Sequence, residues 1–207
     1  MTTQTETYFY ETAKGHGLPH DPFKAIVAPR PIGWISTVDR DGQVNLAPYS
    51  FFNAVCGAPP IVAFSSESYK DSVRNAEATG EFVANFVSKP LAEAMNRTSA
   101  AVSPDTDEMT LAGLAAAPSR LVAPPRVAAA PAALECKLTQ VIRLQTVEGK
   151  TLDTYLVLGQ VVGVHIDPRF LRDGIFDLLT AQPVMRAGYR DDYVQASDPF
   201  KMVRPKA

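Results

Sequence analysis

Residues 30–74, RPIGWISTVDRDGQVNLAPYSFFNAVCGAPPIVAFSSESYKDSVR, constrain the fold more than any other part of the chain. Three apolar runs lie within them, at 32–38, 44–52 and 61–64, each rich in the β-branched and aromatic side chains that suit a pleated, half-buried surface. These read as three strands. Asp41-Gly42 separates the first two, and an Asp-Gly pair between apolar runs marks a hairpin because glycine accepts the positive φ such a turn needs. The first two strands are therefore expected to be antiparallel neighbours. After the third run comes Ser65-Ser66-Glu67-Ser68-Tyr69-Lys70-Asp71-Ser72. It reads as a hydroxyl-rich loop that ends in a cation and opens a helix over 71–79, which Gly80 stops.

Strand composition returns at 81–87, 134–142 and 154–166, with a turn at Glu148-Gly149-Lys150. Only brief helices interrupt: one from Lys89-Pro90 to Asn96, and a turn or two within 104–113 around Met109 and Leu111. Many strands with short turns point to a mainly antiparallel barrel with appended helices rather than a layered α/β fold. The Ala/Pro run at 115–133 is a linker or an extended crossing over a surface. The crossing is preferred, because strand signals resume at once. With 207 residues the chain can bury one core as a single domain, 1–207. Residues 1–20 form a polar, extended arm whose apolar content is Tyr8-Phe9-Tyr10, able to dock on a neighbour, and 168–207 a C-terminal extension.

Several function classes recede on charge and composition. A formal net charge of -2 gives no sequence-wide attraction to nucleic acid or anionic membrane. The amino terminus has no basic and apolar signal regions, and no segment approaches the ~20 apolar residues of a membrane span, so a cytoplasmic protein is expected. Cys56 and Cys136 lie far apart in apolar company and read as small buried hydrophobes rather than a disulfide. His16 and His20 fall in a Gly/Pro-punctuated turn segment without ligand-like spacing, so no metal is expected. His165 ends a strand and reads as structural. Gly15-His16-Gly17 lacks the third glycine and the preceding strand of a dinucleotide fingerprint, so any nicotinamide is held by something other than a Rossmann turn.

The candidate site lies in the opening stretch. A helix amino terminus presents unpaired N–H groups and about half a positive charge, which attracts phosphate. Lys70, Ser72, Ser65 and Ser66 supply a cation and hydroxyls there, although the same residues also suit plain helix capping. Ser36, Thr37, Asn45, Tyr49, Ser50 and Asn53 place polar side chains in otherwise apolar strands. Pro48 suits only an edge, bulge or break, and is expected to leave main-chain donors and acceptors near it free for a flat polar ligand.

Taken together, RPIGWISTVDRDGQVNLAPYSFFN, PPIVAFSS, KDSVRNAEATGEFVANFV, LAEAMNRTSA, PPRVAAAPAALECKL and GQVVGVHID resemble the flavin reductase-like family over most of 30–167. The resemblance implies a Greek-key, FMN-binding split barrel, a homodimer with FMN at the subunit interface, and NADH or NADPH as reductant. It assigns Lys70 and Ser72 to the FMN phosphate, with Ser65 and Ser66 nearby. Trp34, Ser36, Thr37, Ala47, Pro48, Tyr49, Ser50 and Asn53 then line the isoalloxazine and ribityl chain. Arg97 and Thr98 reach the same flavin. For Phe51, Phe52 and Phe64 core packing is the better fit, while Trp34 and Tyr49 suit either role. The late segment Arg186-Ala187-Gly188-Tyr189-Arg190-Asp191-Asp192-Tyr193 resembles the family's Arg-Gly-Tyr region but carries Tyr189 where a second glycine is common. Arg186 and Arg190 are candidates for a dinucleotide phosphate, with surface solvation the alternative.

The implied activity is hydride transfer from NADH or NADPH to flavin, with a flavin-dependent monooxygenase as possible partner. Such a reaction needs no acid/base pair or nucleophile from the protein, and none is recognisable. The alternatives are a flavoredoxin-like electron carrier, an FMN-dependent enzyme with another substrate, and a non-catalytic barrel module.

Overall fold

The computed structural model describes residues 7–103 and 106–205. Gly42, at φ +85°, closes the turn from Asp39, and the strands it joins are β1 (Gly33–Val38) and β2 (Val44–Tyr49). They pair antiparallel from Val38 opposite Val44 to Gly33 opposite Tyr49. The single strand expected over 44–52 is in fact two. The chain bends at Ser50-Phe51 and begins β3 (Phe52–Gly57), which pairs with β4 (Pro60–Glu67). Apolar content continues through the bend, so composition alone hides it. β4 also absorbs Ser65, Ser66 and Glu67, which were expected in a loop.

With β5 (Glu81–Asn85), β6 (Ala132–Gln145) and β7 (Thr151–Ile166), these strands form a seven-stranded antiparallel sheet ordered β2-β1-β5-β6-β7-β4-β3. Its two outermost strands, β2 and β3, are separated by only two residues of chain. The sheet therefore has to curl until its edges meet. No ladder joins those edges among the described residues, and the barrel is split there. The junction is held instead by the Ser65 N–H, which donates to the Phe51 carbonyl at 2.8 Å.

All six residues of β1 are buried, because both faces of this strand are covered. Ile35 belongs to the barrel interior with Phe64, Phe82 and Val157, and the preceding Trp34 to a second apolar cluster with Leu46, Met95, Met109 and Val184. Helix α1 (Asp71–Thr79) adds Val73 and Ala76 to the interior and ends at Gly80, φ +75°. Met95 and Met109 come from α2 (Ala92–Arg97) and α3 (Glu108–Leu111). The helix expected from Lys89 begins as a 3-10 turn, Lys89–Leu91, and of the helical segment expected within 104–113, residues 104 and 105 lie outside the described residues. Interior packing is close at Gly159, where an added Cβ would sit 2.3 Å from the Phe82 ring. Overpacking of this kind costs roughly 1–3 kcal/mol.

The Ala/Pro run is an extended crossing. It has few ladder partners of its own, and side chains on the barrel strands take up its amides instead. Glu135 accepts from the Arg120 and Leu121 N–H groups, Glu81 from Ala123 and Asn85 from Val127, all at 2.6–2.8 Å. His165 has the structural role expected of it, with Nε2 against the buried Glu135 carboxylate. Cys136 is buried as expected but Cys56 is exposed, because β3 turns most of its residues outward.

The amino-terminal arm is less extended than expected. Residues 12–14 form a 3-10 turn and the Tyr8 hydroxyl donates back to the His16 carbonyl at 2.9 Å; its first six residues lie outside the described ones. A short helix, Phe23–Ile26, then leads to Arg30–Pro31, which pairs with Val184–Arg186 of the C-terminal segment. Among the described residues no helix is long and apolar enough to cross a membrane.

Candidate functional site

A cavity of about 460 Å³ opens where the split edges of the barrel meet the mouth of α1. Ala47, Pro48 and Tyr49 of β2 and the bend residues Ser50 and Phe51 form one side. Ser65 of β4, Lys70 and Ser72 form the next, and residues 98–102 after α2 another.

The α1 mouth has groups that could hold an anion. Lys70 is its N-cap, and no side chain caps it. The N–H groups of Val73 and Arg74 both turn back to the Lys70 carbonyl, which leaves those of Asp71 and Ser72 for a ligand. Lys70 forms no ion pair among the described residues. Three carboxylates also face the cavity, but each is engaged. Asp71 holds Arg74 at 2.5 Å, Glu67 lies 3.9 Å from Lys24, and Glu108 accepts the Leu46 N–H at 2.9 Å.

Pro48 lies on an edge strand, as its missing N–H requires. The donors expected near it are fewer than the sequence suggests, because Glu108 takes the outward N–H of Leu46. The N–H groups of Ser50 and Phe51, at the bend, remain without backbone partners among the described residues. Tyr49 is buried against Phe64, with ring centroids 4.8 Å apart. Burial pushes its phenol pKa up, while the hydroxyls of Ser72 and Ser66 pull it the other way.

Of the fourteen residues implicated by sequence, the structure gathers eight around this cavity: Ala47, Pro48, Tyr49, Ser50, Ser65, Lys70, Ser72 and Thr98. The other six sit elsewhere. Trp34 is fully buried in the second core, and its Nε1 donates to Thr98 Oγ1 at 2.9 Å. It therefore bears on the cavity through Thr98, whose own hydroxyl donates to the Met95 carbonyl. Ser36 donates to the Pro125 carbonyl under the crossing, and Thr37 accepts from Asn45, which also donates to Ser72. Ser66 is buried and donates to the Ser68 carbonyl. Asn53 is exposed on β3, and Arg97 lines a separate cleft beside Met95 and Tyr193.

Sequence reasoning missed Lys24, Glu108 and residues 99–102 as cavity lining. Ser99 and Ala100 directly follow the Asn96-Arg97-Thr98 motif, so proximity in the chain was a signal for them. Lys24 and Glu108 carry no local signal, since only the fold brings them to the β2 edge.

A split antiparallel barrel with an uncapped helix mouth beside its open seam defines a class of small split-barrel proteins. The profile of the flavin reductase like domain matches residues 27–182, and the chain belongs to that family. An uncharacterised protein of Deinococcus radiodurans is 35% identical over 212 residues, covering 97% of this chain and 90% of that one. Among solved structures, nitrilotriacetate monooxygenase component B from Bacillus cereus superposes with a TM-score of 0.81 at 29% identity, covering 87% of this chain and 90% of its own. The 2-nitrobenzoate 2-nitroreductase NbaA of Pseudomonas fluorescens gives 0.78 at 27%, covering 88% of each.

Proposed function

We propose that the protein is an FMN-binding, NAD(P)H-dependent flavin reductase that works as a cytoplasmic homodimer, with FMN at the subunit interface and a flavin-dependent monooxygenase as the consumer of reduced flavin. The observation that carries this reading is the uncapped mouth of α1, with Lys70 free of any carboxylate among the described residues, at the end of a cavity walled by bent main chain. Family membership and the similarity to a monooxygenase component B support it.

Bound FMN would supply the redox chemistry, accepting a hydride from reduced nicotinamide. The chain's own residues bind and orient. Lys70 and the Asp71 and Ser72 amides hold the phosphate, and the Ser50 and Phe51 amides offer donors to the polar edge of the ring. Thr98, fixed between Trp34 and the Met95 carbonyl, sets the position of the wall that limits water. No acid/base side chain is called for.

The test is the visible spectrum of the purified protein loaded with FMN, followed anaerobically. Addition of NADH or NADPH should bleach the flavin within minutes, and unchanged absorbance with both rejects the activity. Lys70→Ala should weaken FMN binding by roughly 1.5–3 kcal/mol, the worth of a charge-assisted contact. An unaltered Kd would remove Lys70 from the phosphate site. A second reading, an FMN enzyme acting on an organic substrate, draws on the similarity to NbaA. It predicts a flavin that is reduced normally but reoxidised, without oxygen, by a nitroaromatic compound.

A further inference from the structure

Next to the flavin cavity lies a second cleft of about 590 Å³, and Lys24 lines both. His20, Arg186, Gly188, Tyr189 and Arg190 form most of its remaining wall. A smaller cleft of about 290 Å³ connects the two groups of residues, since it is lined by Pro48, Ser50 and Ser99 as well as by Arg186 and Arg190.

The arginines here are arranged at an electrostatic cost. Arg30 and Arg186 stand directly opposite one another in the antiparallel register, a position where like charges destabilise a sheet. Among the described residues neither they nor Arg190 form an ion pair. Arg30 is only 6% exposed, and the Nε of both Arg30 and Arg186 is buried without a hydrogen-bond partner. Burial, and after it the charge of Arg186, holds the Arg30 pKa below its ordinary value. Arg30 is anchored by the Lys24 and Val27 carbonyls, so it stays behind the cleft as a fixed positive charge. Arg186 is free of such anchors and stacks on the Tyr193 ring, 4.7 Å from its centroid. At the far side the rings of His20 and Tyr189 lie 5.7 Å apart.

The carboxylates nearby do not discharge this cluster. Asp21 accepts the Phe23 N–H and Asp192 the Tyr189 N–H, while Asp191 lines only the smaller cleft. What the arginines lack is an anion, and a guanidinium fork matches phosphate oxygens bidentately.

Building on the flavin reductase reading, we propose that this cleft seats the diphosphate of the reduced nicotinamide dinucleotide on Arg186 and Arg190, with the adenine against His20 and Tyr189. The dinucleotide then extends past Lys24 and Ser50 into the flavin cavity. Tyr189 then forms part of the adenine platform beside His20.

The same chemistry, a diphosphate joined to adenosine, also occurs in FAD, and the experiment separates the two. FMN-loaded wild type, Arg186→Met and Arg190→Ala are compared in three measurements: the KM for NADH and NADPH, the Kd for FMN and FAD, and calorimetric binding of ADP-ribose. Each substitution should raise the dinucleotide KM about tenfold or more, leave kcat and FMN affinity within about twofold, and weaken ADP-ribose binding in parallel. Unchanged KM and ADP-ribose binding in both variants would overturn the proposal, and so would a selective loss of FAD affinity, which would give the cleft to the flavin's own adenosine. Should Arg186→Met fail to retain FMN, Arg190→Ala alone decides. If wild type oxidises neither NADH nor NADPH, the reductase reading falls. ADP-ribose binding to wild type and its loss in the variants would still show the diphosphate seat, and their absence would remove it too.

Discussion

Two buried carboxylates, one under the Ala/Pro crossing and one beside the cavity, make the same kind of contact with opposite electrostatic results. Glu135, on β6, is fully buried and holds the crossing by the Arg120 and Leu121 N–H groups; Glu108, at the start of α3, holds the edge strand β2 by the Leu46 N–H. Burial raises the pKa of both. At Glu135 the His165 ring and the two amides more than offset it, and the net direction is down. At Glu108 a single strand amide and its own backbone do not, and the net direction is up, with Asp71 and Asp107 adding to the rise. Under the crossing, Glu135 has both amides and the His165 ring as partners. Beside the cavity, Glu108 has one strand amide to offset its burial and is biased toward its neutral form, which lessens the negative charge facing an anion held at the α1 mouth.

The largest consequence of that difference should follow from Glu135→Ala. It leaves two partly buried amides and the His165 ring without their common acceptor, and removing the buried partner of such a group costs up to roughly 3–5 kcal/mol. Urea unfolding measures the loss. Hydrogen exchange locates it, since the Arg120 and Leu121 amides should lose protection while those of β1 keep theirs at the same residual stability. A change below about 1 kcal/mol would show that apolar contacts of Val122 and Val127, not the carboxylate, hold the crossing down.

Glu108→Ala should cost less, about 1–3 kcal/mol for one orphaned amide. It differs from the first in where it is felt. Freeing the β2 edge loosens the wall that carries Pro48 and Tyr49, so FMN affinity should fall with it, whereas Glu135→Ala should leave the affinity of the folded fraction intact. Equal effects of the two substitutions on FMN binding would erase the distinction between the two carboxylates.

How far the sequence revealed this arrangement depends on whether a feature is local. The Asp41-Gly42 hairpin, α1 with its Gly80 stop and the long β6 and β7 strands follow from periodicity and turn chemistry within a few residues, and they appear in the structure. The bend at Ser50-Phe51 does not, because it is set by closure of the whole sheet rather than by any turn residue. The same division runs through the site. Lys70 and Ser72 were legible from helix chemistry and Pro48 from strand chemistry, and all three line the cavity. The family resemblance groups Trp34, Ser36 and Thr37 with them, and for Ser36 and Thr37 their polarity within an apolar strand points the same way. With both faces of β1 covered, those polar atoms instead bond to Thr98, Pro125 and Asn45. Nothing short of the fold could pair Glu135 with His165 across 30 residues.

The smallest effect, and the most specific, is in the pH dependence of stability. A carboxylate with a lowered folded-state pKa, as at Glu135, contributes stability that is complete above its ordinary value of 4.5 and is lost as pH falls through the folded value. With a raised pKa, as at Glu108, the native state binds the proton more tightly than the unfolded chain. That contribution is complete below 4.5 and is lost as pH rises through the folded value. Glutamine at either position keeps an acceptor oxygen and removes the titration. Urea midpoints measured across the acid range should therefore diverge in opposite senses. The advantage of wild type over Glu135→Gln should shrink as pH falls below 4.5, and its advantage over Glu108→Gln should shrink as pH rises above it. If the three curves run parallel, the two carboxylates do not differ in the way their hydrogen-bond partners require. Should only the Glu108 curve bend, and flatten again on saturation with FMN, the proton held at Glu108 is linked to occupation of the neighbouring cavity.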